Sequence, residues 1–170
     1  LKPLLDNLAS LYVLSGQPME LHREPVYLNE WLREVLVTWQ AAALDRRLEW
    51  QCTLPENLPV VSLDPHRMAQ VIGNIVSNAI QYTPPKGDIF LSLSKVKDQA
   101  RITCRDTGPG IPEEQQGRLF EPYWRGHSTY KGTGLGLPIA RGVVETHGGR
   151  MWVERKPGSG TTFFFTVPRA

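Results

Sequence analysis

Apolar residues recur at helical spacing between Asp64 and Thr83 and form one broad face of a predicted helix. Asp64 is suited to cap the N-terminus of this helix, and Pro65 fits its first turn. The opposite side forms a polar stripe with two asparagines one turn apart. The apolar face comprises Met68, Val71, Ile72, Ile75, Val76, Ala79 and Ile80. The polar stripe comprises Arg67, Gln70, Asn74, Asn78 and Gln81, with Tyr82 at its edge.

The polar stripe has two interpretations. A solvated face is the ordinary explanation, although such faces usually carry Lys and Glu rather than weak helix formers such as Asn. Alternatively, the carboxamides of Asn74 and Asn78 supply neutral oxygens that coordinate a hard cation. Asparagine alone does not decide between the two.

Further apolar patterns predict a second core helix and a sheet. Residues 28–46 place Leu32, Val35, Leu36, Trp39 and Ala43 on one helical face, and residues 1–14 resemble the tail of another helix. A last helix is predicted at 135–147, and strands are predicted at 48–54, 88–96, 100–106, 150–154 and 162–167. A turn over 157–160 joins the last two strands.

Composition limits the class of protein. The chain has 170 residues, 41% of them hydrophobic, which suits one domain with a substantial core. Nineteen basic against seventeen acidic residues leave a charge of +2, which predicts no nucleic-acid partner. No apolar run approaches the ~20 residues of a membrane span, so no membrane contact is expected. The start at Leu1 without Met is typical of a fragment.

The two cysteines indicate a reducing compartment. Cys52 and Cys104 lie in predicted strands without CxxC spacing, so we expect two buried free thiols rather than a disulfide or a zinc site. A cytoplasmic location follows from this expectation.

Two glycine-bearing segments are candidates for ligand binding. At 106–110 a carboxylate, Asp106, ends a strand and is followed by Gly108 and Gly110, which suits the close approach of a flat ligand with an exocyclic amine. Taken alone, this segment is more typical of an ordinary turn leaving a strand. Residues 132–137 are more specific, because they open into a helix whose N-terminal N–H groups suit phosphate. They match neither a Walker A loop nor a dinucleotide fingerprint.

Five segments in order resemble the ATP-binding domain of sensor histidine kinases. They are N-x-x-x-N-A at 74–79, D-x-G-x-G at 106–110, L-F-E-P-Y-W-R at 119–125, G-x-G-L-G-L at 132–137 and G-x-G-T-T-F at 158–163. The resemblance implies an α+β fold, the two-layer α/β sandwich of the Bergerat type shared with gyrase and Hsp90. A mixed, mostly antiparallel sheet would be covered by helices, and the ligands would be ATP and Mg²⁺.

The resemblance also implies the division of the chain and its partners. Residues 1–24 would be the end of a dimerisation helix and a linker, and residues 25–170 the ATP-binding catalytic domain. None of the four histidines lies in an acceptor motif, so the phosphoacceptor would belong to an upstream dimerisation domain. A response regulator would receive the phosphoryl group. The fragment is expected to be monomeric and cytoplasmic, and the sequence leaves open whether the parent kinase is anchored in the bacterial inner membrane.

Site residues follow from the resemblance. Asn78 would ligate the metal with Asn74 beside it, both catalytic, and Asp106 would accept the adenine amine. Gly108 and Gly110 would make room for the base. Residues 112–133 would form a mobile lid hinged by Phe120. The remaining nucleotide contacts would be Tyr82, Ile111, Arg125, Lys131, Gly132, Thr133, Gly134, Leu135, Gly136, Leu137 and Thr162.

Several of these residues have a simpler interpretation. Tyr82 and Phe120 are equally compatible with core aromatics, and Arg125, His127 and Lys131 with solvated loop charges. Gln81 replaces a lysine that many family members have, so one phosphate-directed charge is missing.

Two alternatives remain for the function. An ATPase of the same superfamily would carry a Glu general base where this chain has Asn74, and an amide cannot accept that proton. A non-catalytic nucleotide-sensing module is the other alternative.

Overall fold

A computed structural model describes Ser15 and residues 19–122, 136–155 and 160–169. The elements in chain order are β1 (Glu24–Val26), α1 (Leu28–Asp45), β2 (Glu49–Thr53), β3 (Val61–Leu63), α2 (Pro65–Tyr82), β4 (Asp88–Val96), β5 (Gln99–Asp106), α3 (Glu113–Gln116), α4 (Gly136–Thr146), β6 (Met151–Arg155) and β7 (Thr161–Pro168).

The strands form one large sheet and one small one. The five-stranded sheet has the order β2-β4-β5-β7-β6, in which β2 pairs parallel with β4 and every other pair is antiparallel. Alternate side chains of β4, β5 and β7 are buried against α1, α2 and α4, which form the second layer. The predicted fold, a two-layer α/β sandwich with a mixed, mostly antiparallel sheet, is confirmed.

Helix α2 lies at the centre of the core. All seven residues of its predicted apolar face are buried. The carboxylate of Asp64 accepts a hydrogen bond from the backbone N–H of Arg67 at 3.1 Å, and Pro65 occupies the first turn. The predicted cap and the predicted face of this helix are therefore confirmed.

The sequence did not reveal the small sheet. Strands β1 and β3 have three residues each and pair antiparallel, so that Val26 lies opposite Val61. Such short segments have no readable alternation, and their partners are far apart in the chain. Helix α3, with four residues, was missed for the same reason of length. The predicted helix within residues 1–14 lies outside the described residues.

The two cysteines differ. Cys104 is buried in the central strand β5, as predicted, and burial raises its pKa well above the ordinary thiol value. The prediction of burial is wrong for Cys52, which is exposed. The reason is that β2 is an edge strand, whose residues lie at the margin of the helical layer.

Within the part of the chain that the structure describes, no helix has the length and apolar character needed to cross a membrane.

A buried histidine connects α4 to α2. The Nδ1 of His147 lies 2.8 Å from the carbonyl of Val143, and its Nε2 accepts the backbone N–H of Asp64 at 3.0 Å. Nδ1 therefore carries the proton, and the ring is neutral. Burial, aided by the charge of Arg23, lowers the pKa of His147.

The chain that enters the domain binds at the same place. The N–H of His22 donates to the carboxylate of Asp64 at 3.0 Å, and the guanidinium of Arg23 donates to the carbonyl of Thr146 at 3.1 Å. Burial raises the pKa of Asp64, but the N–H groups of Arg67 and His22 outweigh it, and the net pKa is lowered.

We predict that stability falls as the pH drops from above 6.5 toward the lowered pKa of native His147, because the unfolded chain binds the proton first. The slope in this window is at most about 1.4 kcal/mol per pH unit. The His147→Phe variant loses this slope, and at neutral pH it loses roughly 1–3 kcal/mol, because the buried Asp64 N–H has no partner.

Urea denaturation across this pH range measures both effects. The control is His66→Gln, which changes an exposed histidine and should keep the slope. An unchanged slope in His147→Phe would show that another group is responsible.

Candidate functional site

Asp106 ends β5 and is the central polar residue of the candidate site. The residue is 5% exposed, and its Oδ1 accepts the backbone N–H of Gly108 at 2.9 Å. Burial raises the pKa of Asp106 above its ordinary value, against the opposing effect of the N–H groups of Gly108 and Thr161. These contacts fix the direction of the carboxylate, which suits it to accept a hydrogen bond from a ligand.

Three glycines bring separate segments together around Asp106. A Cβ on Gly108 would lie 3.0 Å from the Asp106 Oδ1 and from the carbonyl of Tyr82. Gly110 has a φ of +77°, and a Cβ there would lie 3.4 Å from the carbonyl of Gly160. Gly160 has a φ of +85°, and a Cβ there would overlap the carbonyl of Asp106. The loop after β5 and the start of β7 are therefore in direct backbone contact.

The polar stripe of α2 faces the start of α4. The Nδ2 of Asn74 donates to the carbonyl of Gly136, the first residue of α4, at 2.9 Å. Asn78, one turn later, is half-buried, and its side chain forms no hydrogen bond with another described residue. Asn74 therefore positions the beginning of α4, whereas the amide of Asn78 is available to a ligand.

The other described residues of the predicted site differ in exposure and contacts. Tyr82 ends α2 with 37% exposure, and its carbonyl lies beside Gly108. Ile111 and Leu137 are half-buried against the core. Phe120 also packs on the core, and the guanidinium of Arg141 in α4 lies 4.8 Å from the centre of its ring. Phe120 thus contacts both the core and Arg141 of α4.

The register of the sheet determines which face Thr162 occupies relative to Asp106. Asp106 pairs with Thr161, whereas Thr162 pairs with Arg105. Because successive side chains of a strand point to opposite faces, Thr162 lies on the face away from Asp106. The residue beside Asp106 is Thr161, which is buried. Sequence reasoning missed Thr161 and Gly160; the alternation of β7 was the signal for the first.

Part of the predicted site lies outside the described residues. This part comprises Arg125, Lys131, Gly132, Thr133, Gly134 and Leu135, together with His127 and most of the predicted turn at 157–160. Among the residues that are described, no group of three or more His, Cys, Asp or Glu side chains could hold a metal ion.

The two-layer sandwich, the buried carboxylate of Asp106 and the contact between Asn74 and the start of α4 agree with the ATP-binding domain expected from the sequence. Residues 63–170 match the family of histidine kinase-, DNA gyrase B- and HSP90-like ATPases, and the chain belongs to this family.

Sensor kinases are among its relatives. The adaptive-response sensory kinase SasA of Microcystis aeruginosa is 37% identical over 155 residues. The match covers 87% of this chain but 39% of SasA, so the chain spans about two fifths of that relative.

Solved structures of histidine kinases are also similar to this chain. Full-length ShkA in complex with AMPPNP superposes with a TM-score of 0.84 at 28% identity, over 97% of this chain and 35% of ShkA. The catalytic domain of histidine kinase ThkA superposes with a TM-score of 0.77 at 34% identity, over 88% of this chain and 99% of that domain. ThkA in complex with the response regulator protein TrrA gives a TM-score of 0.78 at 28% identity, over 98% of this chain and 47% of that one. The predicted resemblance to histidine kinases is confirmed.

We predict that Gly160→Ala disrupts the site. The residue has a positive φ, and the added methyl group overlaps the Asp106 carbonyl, so the loss of unfolding free energy should exceed the roughly 1–2 kcal/mol of left-handed strain alone. Chemical denaturation measures this loss. Gly117→Ala is the matched control, because Gly117 has helical dihedrals and its added Cβ meets no atom within 4 Å. Equal stability of the two variants would contradict the close contact.

Proposed function

We propose that a nucleotide-binding cleft, bordered by Asp106, lies between α2 and the start of α4, and that this domain binds Mg-ATP there. It then donates the γ-phosphoryl group to a histidine of the dimerisation domain of the same kinase, for relay to a response regulator. The observation that carries the proposal is the buried, directed carboxylate of Asp106 at the glycine-lined end of this cleft. ShkA was crystallised with AMPPNP, which supports nucleotide binding, and ThkA with a response regulator, which supports that protein as the partner of the relay.

The adenine would bind at the Asp106 end. The carboxylate accepts the exocyclic amine, and it is held by Gly108 while Thr161 lies across the strand pair. The absence of side chains at Gly108 and Gly110 allows a flat base to approach the backbone. Tyr82 and Ile111 would contact the edge of the base.

The phosphates would bind at the start of α4. This helix has 11 residues, and its N-terminal N–H groups favour anions. Asn74 fixes that end through Gly136, so the phosphate-binding backbone has a defined position relative to α2. Gly132, Thr133, Gly134 and Leu135 would extend the phosphate-binding loop, with Arg125 and Lys131 adding charge.

The residues present fit one Mg²⁺ ion. Mg²⁺ commonly takes one or two protein oxygens and completes its shell with phosphate oxygens and water. The Asn78 amide supplies a neutral oxygen on the stripe that faces α4, and it forms no hydrogen bond with another described residue. Asn78 would hold the ion, which would neutralise charge on the phosphates.

The bond made by Asn74 favours phosphotransfer over hydrolysis. Asn74 uses an N–H donor toward the carbonyl of Gly136, and a carboxylate has no such donor. A Glu general base at this position would therefore lose the bond that positions α4. With no base here to activate water, the residues of the cleft bind and orient ATP for an external nucleophile.

The acceptor domain and the response regulator are the proposed protein partners. We also propose that the domain lies in the cytoplasm, where ATP is available.

We predict that Asp106→Asn weakens binding of Mg-ADP by a factor of roughly 10 to 150, because a charge-assisted hydrogen bond worth about 1.5 to 3 kcal/mol is lost. Titration calorimetry measures the affinity. Asp98→Asn is the matched control, because Asp98 is an exposed carboxylate in the β4–β5 hairpin. Wild-type affinity in Asp106→Asn would contradict the assignment of Asp106 to the adenine amine.

A second prediction concerns phosphotransfer. A dimerisation domain with its acceptor histidine, added in trans, should become phosphorylated on histidine, and Asn78→Ala should abolish this by removing the metal ligand. Asn74→Ala should reduce the rate less, because it loosens Gly136 without removing a ligand. Acid-labile radiolabel measures transfer. Rapid hydrolysis of ATP without an acceptor would favour the ATPase alternative, and nucleotide binding without any transfer would favour the sensing module.

A further inference from the structure

A pocket lies far from Asp106, on the sheet face that the helices leave uncovered. Its volume is about 430 Å³. It is lined by the β4–β5 hairpin, the start of β6 and the last part of β7, including Lys97, Arg101, Arg150, Trp152 and Thr166. Asp106 is at the opposite end of β5, so the pocket belongs to a different end of the sheet from the proposed nucleotide site.

The register of the sheet leaves space in this pocket between Arg101 and Arg150. Arg101 pairs with Thr166 across β5 and β7. The backbone groups of Thr166 and Arg150 bond next to it: the N–H of Thr166 donates to the carbonyl of Arg150 at 2.9 Å, and the N–H of Arg150 donates to the Thr166 hydroxyl at 2.9 Å. A short side chain therefore stands between two arginines, whose strands are about 10 Å apart, or two strand spacings.

An aromatic wall holds both guanidinium groups. The rings of Trp152 and Phe164 are stacked, with centroids 5.1 Å apart and an angle of 9° between their planes. The guanidinium of Arg101 lies 5.6 Å from the centre of the Phe164 ring, and that of Arg150 lies 5.0 Å from the Trp152 ring. A guanidinium bound by its face keeps its in-plane N–H groups for an anion.

The charge of the two arginines is not balanced by the neighbouring protein. Within the described part of the chain, neither Arg101 nor Arg150 forms a salt bridge, and the buried Nε of Arg101 has no hydrogen-bond partner. Lys97 adds a third positive charge to the lining, and Asp98 is the acidic residue there. The lining therefore has an excess of positive charge and unused planar donors.

We infer that this pocket is a docking site for an acidic segment of a partner protein, whose carboxylates bind Arg101 and Arg150. The planar N–H fork of arginine matches a carboxylate in bidentate geometry. Trp and Arg together are also typical of residues that dominate binding energy at protein interfaces. Because the site is away from the cleft of Asp106, a partner can occupy it while a nucleotide is bound.

The test is a titration of the whole chain with a synthetic peptide of alternating Glu and Ser, followed by ¹H–¹⁵N NMR. We expect shifts confined to residues 97–101, 150–152 and 166 and to the indole N–H of Trp152. Arg101→Gln and Arg150→Gln should each weaken binding by about tenfold or more, as expected for a charge-assisted bond. The spectra themselves report whether each variant is folded.

The matched control is Arg105→Gln. Arg105 lies on the same sheet face with its guanidinium 5.2 Å from the centre of the Phe90 ring, but it does not line the pocket. Peptide affinity should be unchanged in this variant, and Mg-ADP affinity should be unchanged in all three. The latter result keeps this inference separate from the proposed nucleotide site.

Four outcomes would overturn the inference. If no shifts appear at millimolar peptide, the cation–π pairs only pack against the exposed face of the sheet and bind no partner. Equal losses in Arg105→Gln would indicate nonspecific charge attraction. Succinate or inorganic phosphate binding as tightly as the peptide would identify a site for small anions. Shifts that depend on protein concentration without peptide would identify a second copy of this chain as the occupant.

Discussion

The packing of α2 against α4 is the interaction on which the rest of this structure depends. The two helices are bonded at both ends of their contact: Asn74 donates to Gly136 at the cleft, and His147 accepts the N–H of Asp64 at the other end. Between these bonds, apolar side chains such as Ile72 and Val143 are buried. Buried side chains therefore fix the position of α4 relative to α2, together with these two bonds.

Asp106 is held by a different constraint. Its position is fixed by backbone contacts, because Gly108 and Gly160 allow two loops to approach it more closely than any side chain would permit. The carboxylate is desolvated by burial, yet it receives backbone N–H groups that keep it oriented. A ligand that donates to it replaces lost water, so recognition of an amine costs little reorganisation.

Sequence periodicity was sufficient where an element is long and packs on one face. The apolar face of α2 and the cap at Asp64 could be predicted because both depend on residues within one helix. The pairing of β1 with β3 could not be predicted, since it depends on contacts between distant segments. Burial of Cys52 was mispredicted because a strand pattern does not show whether the strand is central or at an edge.

In the candidate site, too, features within one segment could be predicted and features that depend on distant segments could not. Its motifs predicted Asp106, Gly108 and Gly110, whereas the place of Thr161 beside Asp106 depends on the register of β7 against β5, which the motifs do not contain. The neutral state of His147 also depended on three-dimensional information, namely the N–H of Asp64, 83 residues earlier in the chain. No helix-end rule applied to residue 147 alone contains that donor.

The bonds of His22 and Arg23 have a mechanical consequence. They attach the entering chain to Asp64 and to the carbonyl of Thr146, which are the far ends of the two helices that border the cleft. Helix α4 is stiff along its axis and extends about 16 Å from Thr146 to Gly136. A displacement of residues 22–23 would therefore act directly on the N-terminal end of α2 and on the C-terminal end of α4.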